Sequence, residues 1–290
     1  MRIGVSSYSY SALTRSAAMR FLDIPAKARD MGFDTIEFAA LEVPEDRSKT
    51  SFAADLATAC RQAGLAVCNY AVPADLLHGF GVPAGKEVDR LRGELEVAGI
   101  LGSPNMRHDA TSKFDGTFDQ ALPVLADRCR KVAEIGASMG IFTMVENHGY
   151  FAQDSDRVEK LAAAVGHPNF GLLVDIGNFR CVDEDPAAAV GRLARYARHV
   201  HAKDFHGKRG DAPDPGRGWF RTRAGNWLRG AILGHGDVPV CQCLGILARA
   251  GYGGVVSIEF EGIEDPATGI AIGLENLKRC LAGLPEPARP

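Results

Sequence analysis

Four short apolar segments of this chain each end in a side chain that can bind a metal ion. They read VENHG, LLVDIGNF, HVHAKDF and VSIEFEG, and they supply Glu146, Asp175, His201 and Glu259. Divalent cations such as Mg²⁺ and Mn²⁺ prefer oxygen ligands, and one imidazole moves the preference toward Mn²⁺ or Co²⁺. The four residues therefore predict a divalent metal site, with Mn²⁺ favoured and Mg²⁺ or Co²⁺ as alternatives.

A site of this composition indicates one kind of chemistry. Its open coordination positions suit two adjacent oxygens of a sugar or a hydroxyketone. A bound cation polarises the carbonyl and stabilises an enediolate, while carboxylates beside the substrate carbon move protons. We therefore expect proton abstraction next to a carbonyl.

The elements that must position these residues follow a regular alternation of short apolar runs and longer amphipathic stretches. The predicted strands are 3–7, 34–39, 65–70, 104–108, 141–146, 170–175, 199–204 and 254–260. The predicted helices are 19–31, 50–63, 85–101, 117–139, 155–165, 186–197, 240–251 and 267–283. Glycines typical of helix C-caps follow or end five of them: Gly32, Gly64, Gly102, Gly140 and Gly251.

Eight strand–helix units predict an α/β fold of the (β/α)8 TIM barrel type. An open doubly wound sheet would need a glycine-rich phosphate loop after the first strand, whereas segment 5–12 contains no glycine. No internal repeat or linker divides the sequence. We therefore predict one barrel domain at 1–285 and a C-terminal tail at 286–290.

The spacing of the four metal-type residues agrees with a barrel. Asp175 follows Glu146 by 29 residues and His201 follows Asp175 by 26, close to the roughly 31 residues per unit of a barrel of about 250 residues. Glu259, however, follows His201 by 58 residues. We therefore expect an extended loop after strand 7, at about 205–238.

The composition limits the classes of function. The 290 residues carry a formal net charge of −3, so no overall basic field favours a nucleic acid partner. No secretion signal opens the sequence and no run of about 18 apolar residues occurs, which predicts a soluble, cytoplasmic protein without a membrane partner. An odd number of cysteines then favours reduced thiols that pack as small apolar groups: Cys60, Cys68, Cys129, Cys181, Cys241, Cys243 and Cys280.

Polar residues at the predicted strand ends are candidates for substrate contacts, because barrel active sites draw on these positions. Strands 1 to 4 end near Tyr8, Glu37, Asn69 and His108, and the metal-type residues are flanked by His148, Asn178, Lys203 and Asp204. Two further residues share a strand face with a metal-type residue and could orient it. They are His199 and Glu261.

The extended loop holds both tryptophans of the chain, Trp219 and Trp227, together with several arginines. A lid over the barrel mouth would let Trp219 stack on sugar CH groups and let Arg217 meet a phosphate or carboxylate. Tryptophan beside arginine is also typical of a subunit interface, so a homo-oligomer remains an alternative. A solvated surface loop is the third interpretation.

The sequence resembles the xylose-isomerase-like barrels, in particular the sugar phosphate isomerase/epimerase branch that includes ketose 3-epimerases and inosose dehydratases. The resemblance rests on VENHG, DIGNF, HVHAKD and GYGGVVSIEFEG. It implies that Glu146, Asp175, His201 and Glu259 bind the metal. It also implies that Glu146 and Glu259 are the acid/base pair on the two faces of the substrate carbon.

The sequence departs from relatives of this group at three positions. Asn178 stands where ketose 3-epimerases carry a histidine, and Ala152 where they carry a second carboxylate. Asn69 likewise replaces a histidine of the apurinic endonucleases that share the fold. These differences argue against a simple free-ketose 3-epimerase and against a three-zinc DNA-repair enzyme.

The sequence therefore predicts a metal-dependent isomerase or epimerase of a sugar or sugar derivative. The first alternative is a dehydratase or lyase that forms the same enolate and then expels a leaving group from an inosose, a dehydroshikimate-like acid or a 3-keto glycoside. The second is a sugar-binding subunit that depends on a partner protein. Substrate identity and phosphorylation stay open.

Overall fold

A closed barrel of parallel strands dominates residues 1–284, the part of the chain that the computed structural model describes. The strands are β1 (Arg2–Ser6), β2 (Thr35–Ala39), β3 (Ala66–Val72), β4 (Asn105–His108), β5 (Phe142–Glu146), β6 (Phe170–Asp175), β7 (Ala197–Ala202), β8 (Asp204–Lys208), β9 (Phe220–Arg221), β10 (Trp227–Ala231) and β11 (Val255–Ile258). The barrel order is β1-β11-β7-β6-β5-β4-β3-β2. The predicted (β/α)8 TIM barrel is confirmed, while the predicted tail at 286–290 lies outside the described residues.

The helices surround this barrel. They are α1 (Ser11–Arg15), α2 (Ile24–Asp30), α3 (Lys49–Ala63), α4 (Glu87–Leu101), α5 (Phe118–Ser138), α6 (Ser155–Val165), α7 (Pro186–Leu193), α8 (Val240–Arg249) and α9 (Pro266–Ala282). Short 3₁₀ turns precede α2 and follow β6 and α7. The short helix α1 has no counterpart in the sequence prediction, because a polar segment of five residues shows no helical periodicity.

Local sequence signals set the helix ends. Thr117 and Gln120 form a capping box at the start of α5, in which each side chain pairs with the other residue's backbone N–H. Gly64 and Gly102 end α3 and α4 in the left-handed conformation, which costs glycine least. These predicted C-caps are confirmed.

The barrel register brings the metal-type residues to one edge. Glu146 and Asp175 are the last residues of β5 and β6, and Asp175 lies opposite His201 in the pairing of β6 with β7. Glu259 directly follows β11, and its backbone N–H donates to the oxygen of Ala202 at 3.1 Å. The four side chains therefore start from the same mouth of the barrel.

The insertion after β7 is more regular than its glycine and proline content predicts. Strands β8, β10 and β9 form a separate antiparallel sheet in that order. Trp227 lies in the central strand, with the Arg221 guanidinium 3.4 Å from its ring centre. The sheet was missed because its strands are short and no periodicity separates them from a loop.

Asp204 closes the base of this insertion. Its carboxylate accepts hydrogen bonds from the backbone N–H groups of Gly234 at 2.8 Å, Gly236 at 2.9 Å and Val238 at 3.1 Å. Asp204, predicted to contact substrate, does not line the cavity at the barrel mouth, and backbone donors occupy its oxygens. The side chain instead ties β8 to the turn that leads into α8.

The expectation that all seven cysteines are reduced packing residues is wrong for two of them. Cys241 in α8 and Cys280 in α9 form a disulfide, with their Cα atoms 5.1 Å apart. Thirty-nine positions separate them, and only the packing of adjacent helices brings them together. The other five cysteines are free and buried.

None of the helices in residues 1–284 has the length and apolar character needed to cross a bilayer. Polar faces alternate with buried ones along the outer helices, as on α6, where Val158, Leu161 and Val165 are buried and Lys160 is exposed.

Two helix glycines provide a matched test of the helix–barrel contact. A Cβ atom on Gly136 in α5 would lie 2.6 Å from the oxygen of Ile141, whereas a Cβ on Gly93 in α4 would meet nothing within 4 Å. Alanine favours a helix interior over glycine by about 1 kcal/mol, and a forced contact costs about 1–3 kcal/mol. We expect Gly93→Ala to raise the melting temperature and Gly136→Ala to lower it; equal shifts in thermal denaturation would contradict the packing.

A second test concerns Asp204. We expect Asp204→Ala to lower the free energy of unfolding by about 2–4 kcal/mol, because several backbone N–H groups lose a charged acceptor. The exposed Asp211, which pairs with Arg209, is the control, and Asp211→Ala should leave the denaturation midpoint unchanged. Urea denaturation followed by circular dichroism measures both. An Asp204→Ala protein of unchanged stability would return this residue to the substrate-binding candidates.

Candidate metal centre

Glu146, Asp175, His201 and Glu259 converge at the C-terminal mouth of the barrel. Each offers one oxygen or nitrogen atom, and these four atoms all lie within 4.8 Å of one another. All four side chains are buried. The structure thus brings together the complete ligand set that the sequence predicts.

The orientation of His201 decides what this cluster can hold. Its Nδ1 lies 3.5 Å from Glu259 Oε2 and 3.8 Å from both Glu146 Oε1 and Asp175 Oδ2. This buried nitrogen has no hydrogen-bond partner among residues 1–284. On the other side of the ring, Nε2 lies 2.9 Å from Glu37 Oε1. A proton on Nε2, donated to Glu37, leaves the Nδ1 lone pair facing the carboxylates.

Glu37 is itself held from behind. Asn69 donates to its Oε2 at 2.7 Å, and His199 Nε2 lies 3.4 Å from the same oxygen. Burial opposes the charge of Glu37, yet His201 outweighs burial and holds its pKa at about 2. Burial lowers the pKa of His199 to about 4. Asn69 and His199 therefore support the His201 orientation rather than contact the cavity.

Two cations balance the carboxylates. Lys203 Nζ lies 2.5 Å from Glu259 Oε2 and 3.0 Å from Asp175 Oδ2. Arg107 Nε lies 2.6 Å from Glu146 Oε2, and its Nη2 lies 2.8 Å from Asp109 Oδ1. Like charges that are buried together need such partners. Lys203 was predicted to flank the site, whereas Arg107 and Asp109 were missed.

Arg107 was missed because of the direction in which side chains point at the end of β4. Successive side chains of a strand point to opposite faces, and the sequence interpretation chose His108 where the structure places Arg107 in the cavity. His108, predicted to contact substrate, does not line the cavity: it is fully buried, its Nδ1 lies 2.9 Å from the backbone oxygen of Asp109, and burial lowers its pKa to about 4. The sequence did hold a signal for Arg107: a buried Glu146 needs a positively charged partner, and Arg107 directly precedes His108.

The pKa values of the two glutamates shift in opposite directions. Burial outweighs the Arg107 guanidinium and raises the pKa of Glu146. For Glu259, the Lys203 ammonium and the His201 ring outweigh burial and hold the pKa well below its usual range. For His201, burial is outweighed by Glu37 and Glu259, which raise its pKa well above the ordinary value. A proton and a metal ion would therefore compete for the same ring nitrogen.

Two asparagines fix the carboxylates. Asn147 exchanges hydrogen bonds with the backbone of Asp175, at 2.9 and 3.0 Å. Asn178 donates its Nδ2 to Glu146 Oε1 at 2.9 Å, and its oxygen accepts from Lys203 at 3.3 Å. Asn178 therefore contacts the carboxylate cluster directly, as its predicted place beside the metal-type residues implies.

A cavity of about 240 Å³ opens beside this cluster. Its walls include predicted residues Tyr8, His148 and Lys203, as well as Glu261 and Asp109. His148 is half-exposed, and its Nδ1 lies at hydrogen-bond distance, 2.9 Å, from Asp109 Oδ1. Burial acts against its charge, but Asp109 prevails and raises the pKa of His148.

The insertion packs beside this cavity without lining it. Tyr150 donates to the backbone oxygen of Arg221 at 3.3 Å, and Arg223 pairs with Asp154 at 2.9 Å. Trp219 is half-buried, with Lys208 Nζ 5.2 Å from its ring centre, and Arg217 is exposed. Trp219 and Arg217, which were predicted to contact substrate, do not line the cavity formed by the described residues. Trp219 packs on Lys208 of the insertion, and Arg217 faces solvent.

Comparison with known proteins now places the chain in a family. A rhizopine catabolism protein, MocC, of Rhizobium meliloti is 30% identical over 163 residues, which span 54% of this chain and 48% of that protein. An inosose dehydratase of Clostridium beijerinckii is 27% identical over 156 residues, 51% of this chain and 49% of that protein. The chain thus matches about half the length of these curated relatives.

Solved structures share the whole barrel. The IOLI protein with a bound zinc atom superposes with a TM-score of 0.74 at 16% identity, over 97% of this chain and 98% of that one. L-ribulose 3-epimerase superposes with a TM-score of 0.68 at 18% identity, over 100% and 99%. The model of the xylose isomerase-like TIM barrel family matches residues 25–280. The chain belongs to this family, which includes isomerases, epimerases and dehydratases.

Proposed function

We propose that the protein is a divalent-metal-dependent isomerase or epimerase that removes a proton next to the carbonyl of a sugar or sugar-derived ketone. One observation carries the proposal. Three carboxylate oxygens and the unpartnered Nδ1 of His201 converge within 4.8 Å beside a cavity of about 240 Å³. Such a volume admits a small polyhydroxylated molecule rather than a polymer.

The residues present fit a divalent cation. Glu146, Asp175, His201 and Glu259 would hold it, with Mn²⁺ favoured over Mg²⁺ and Co²⁺ by the single imidazole among oxygens. When bound, the metal supplies polarisation of the substrate carbonyl and charge stabilisation of the enediolate. Glu37 supports this role, since carboxylates that accept from a ligating histidine fix its orientation.

Glu259 and Glu146 act as the acid/base pair. In this proposal Glu259 accepts the proton from the substrate carbon and Glu146 returns one to the other face, an assignment that agrees with the lowered pKa of Glu259 and the raised pKa of Glu146. Lys203, 2.5 Å from Glu259, stabilises negative charge there. Arg107 holds Glu146 in place from β4.

A second candidate is a dehydratase, and His148 is the observation that favours it. Expulsion of a β-hydroxyl from the enolate needs a proton donor in addition to the base. His148 lines the cavity, and Asp109 raises its pKa, so its ring can supply that proton. The inosose dehydratase among the relatives supports this alternative.

Metal binding can be tested without turnover. We expect the purified chain to bind one Mn²⁺ by isothermal titration calorimetry, Asp175→Asn to lose stoichiometric binding, and Glu37→Gln to bind about 10- to 100-fold more weakly through a misoriented His201. The control is Glu261→Gln, because Glu261 shares the cavity but stands outside the four-ligand set. A wild-type protein that binds no metal would refute the proposed centre.

The chemistry can be tested by solvent exchange. With Mn²⁺ in D₂O, we screen ketoses, inososes and 3-keto glycosides by NMR and expect deuterium at the carbon next to the carbonyl. Glu146→Gln and Glu259→Gln should each abolish incorporation, while the helix variant Glu134→Gln should retain it. Incorporation without loss of water or aglycone indicates an epimerase or isomerase.

Loss of water or aglycone in the same screen indicates the lyase alternative. In that case His148→Gln should slow the loss of the eliminated group more than it slows deuterium incorporation. Exchange that survives in the Glu146→Gln and Glu259→Gln double variant would remove both residues from the mechanism.

A further inference from the structure

A second cavity, of about 430 Å³, lies outside the barrel mouth. One wall is the antiparallel sheet of the insertion, with Lys208 and Trp227, and the other is the 3₁₀ turn after β6 (Asn178–Val182), with Arg180. This cavity contains none of the four metal-type residues. The proposed function leaves it unused.

Arg180 is the distinctive group in this cavity. Its Nε is buried and has no hydrogen-bond partner in the described part of the chain. Within residues 1–284, no carboxylate oxygen lies within 4.0 Å of its guanidinium nitrogens or of Lys208 Nζ. By contrast, Arg209, Arg223 and Arg229 of the insertion each pair with a carboxylate. Gly207 leaves room for the guanidinium, since a Cβ there would lie 3.2 Å from Arg180 Nη2. A half-buried guanidinium with free donors favours an anionic partner.

The two carboxylates in the walls already have partners. Asp183 accepts from Thr222 Oγ1 at 2.7 Å and from Asn226 Nδ2 at 2.8 Å. Asp237 accepts from the backbone N–H of Gly207 at 2.7 Å. These bonds position both carboxylates within the fold. Arg209 also lines the cavity but pairs with Asp211, so Arg180 and Lys208 are the lining cations that have no carboxylate partner among residues 1–284.

We propose that this cavity binds the carboxylate or phosphate group of a small polar metabolite. Arg180 holds the anion in a bidentate manner, Lys208 adds a second positive charge, and the Trp227 ring forms an apolar wall. The site is distinct from the metal centre, and its existence does not depend on the proposed reaction.

The anion site shares a structural element with the metal centre. Asn178 begins the 3₁₀ turn that carries Arg180, and its side chain donates to Glu146 at 2.9 Å. An anion bound to Arg180 would therefore contact the same short element whose first residue, Asn178, hydrogen-bonds to Glu146.

Binding of inorganic phosphate and of gluconate to the metal-free full chain tests the proposal. At constant ionic strength, isothermal titration calorimetry should show saturable binding of at least one of them at one site per chain. We expect Arg180→Gln to weaken it by about 10- to 100-fold, from the loss of charge-assisted hydrogen bonds. Lys208→Gln should weaken it less. The two probes distinguish a phosphate ligand from a carboxylate ligand.

Matched variants distinguish binding at Arg180 from a general attraction of anions to surface arginines. Arg192→Gln, which removes an exposed arginine paired with Glu159, should bind the anion as the wild type does. Arg180→Gln should keep its Mn²⁺ affinity, which shows that it is folded and that the metal centre is a separate site. If it fails to fold, Lys208→Gln and Arg180→Lys provide the comparison. No saturable binding of either anion, or equal binding by Arg180→Gln, would overturn the proposal.

Discussion

Three buried carboxylates whose oxygens lie within 4.8 Å of one another are the constraint on which the site depends. Two unit charges 4 Å apart repel by about 4 kcal/mol at an effective dielectric constant of about 20, and burial adds a desolvation cost. Positively charged groups and an imidazole offset this repulsion. Arg107 pairs with Glu146, and both Lys203 and His201 lie near Asp175 and Glu259. These partners come from β4 and from the end of β7.

Further hydrogen bonds from several strands and loops orient these groups. Glu37 from β2 aligns His201, and Asn69 from β3 aligns Glu37. Asn147 and Asn178 act from the opposite side, on Asp175 and Glu146. Strands that supply no proposed ligand therefore still set the direction of each ligand atom.

The convergence of Glu146, Asp175, His201 and Glu259 could be predicted because each residue stands at or beside the end of an apolar strand and the first two intervals match a barrel repeat. The partners of those residues were harder to predict. His108 was chosen over Arg107 because a one-residue change at a strand end reverses the direction of a side chain, and apolar pattern alone does not fix that register. The Cys241–Cys280 disulfide and the sheet around Trp227 depend on packing between elements distant in sequence, for which a single sequence holds no periodic signal.

The position of Glu259 links the site to the order of assembly. Glu146, Asp175 and His201 arrive on successive strands, whereas Glu259 follows β11, the strand that joins β7 to β1 and closes the barrel. Pairing of Arg2 with Val255 spans nearly the whole chain, and contacts of such long range form slowly. A barrel in which β11 is unpaired would bring together three of the four groups, so a cation held by all four would report on closure of the ring.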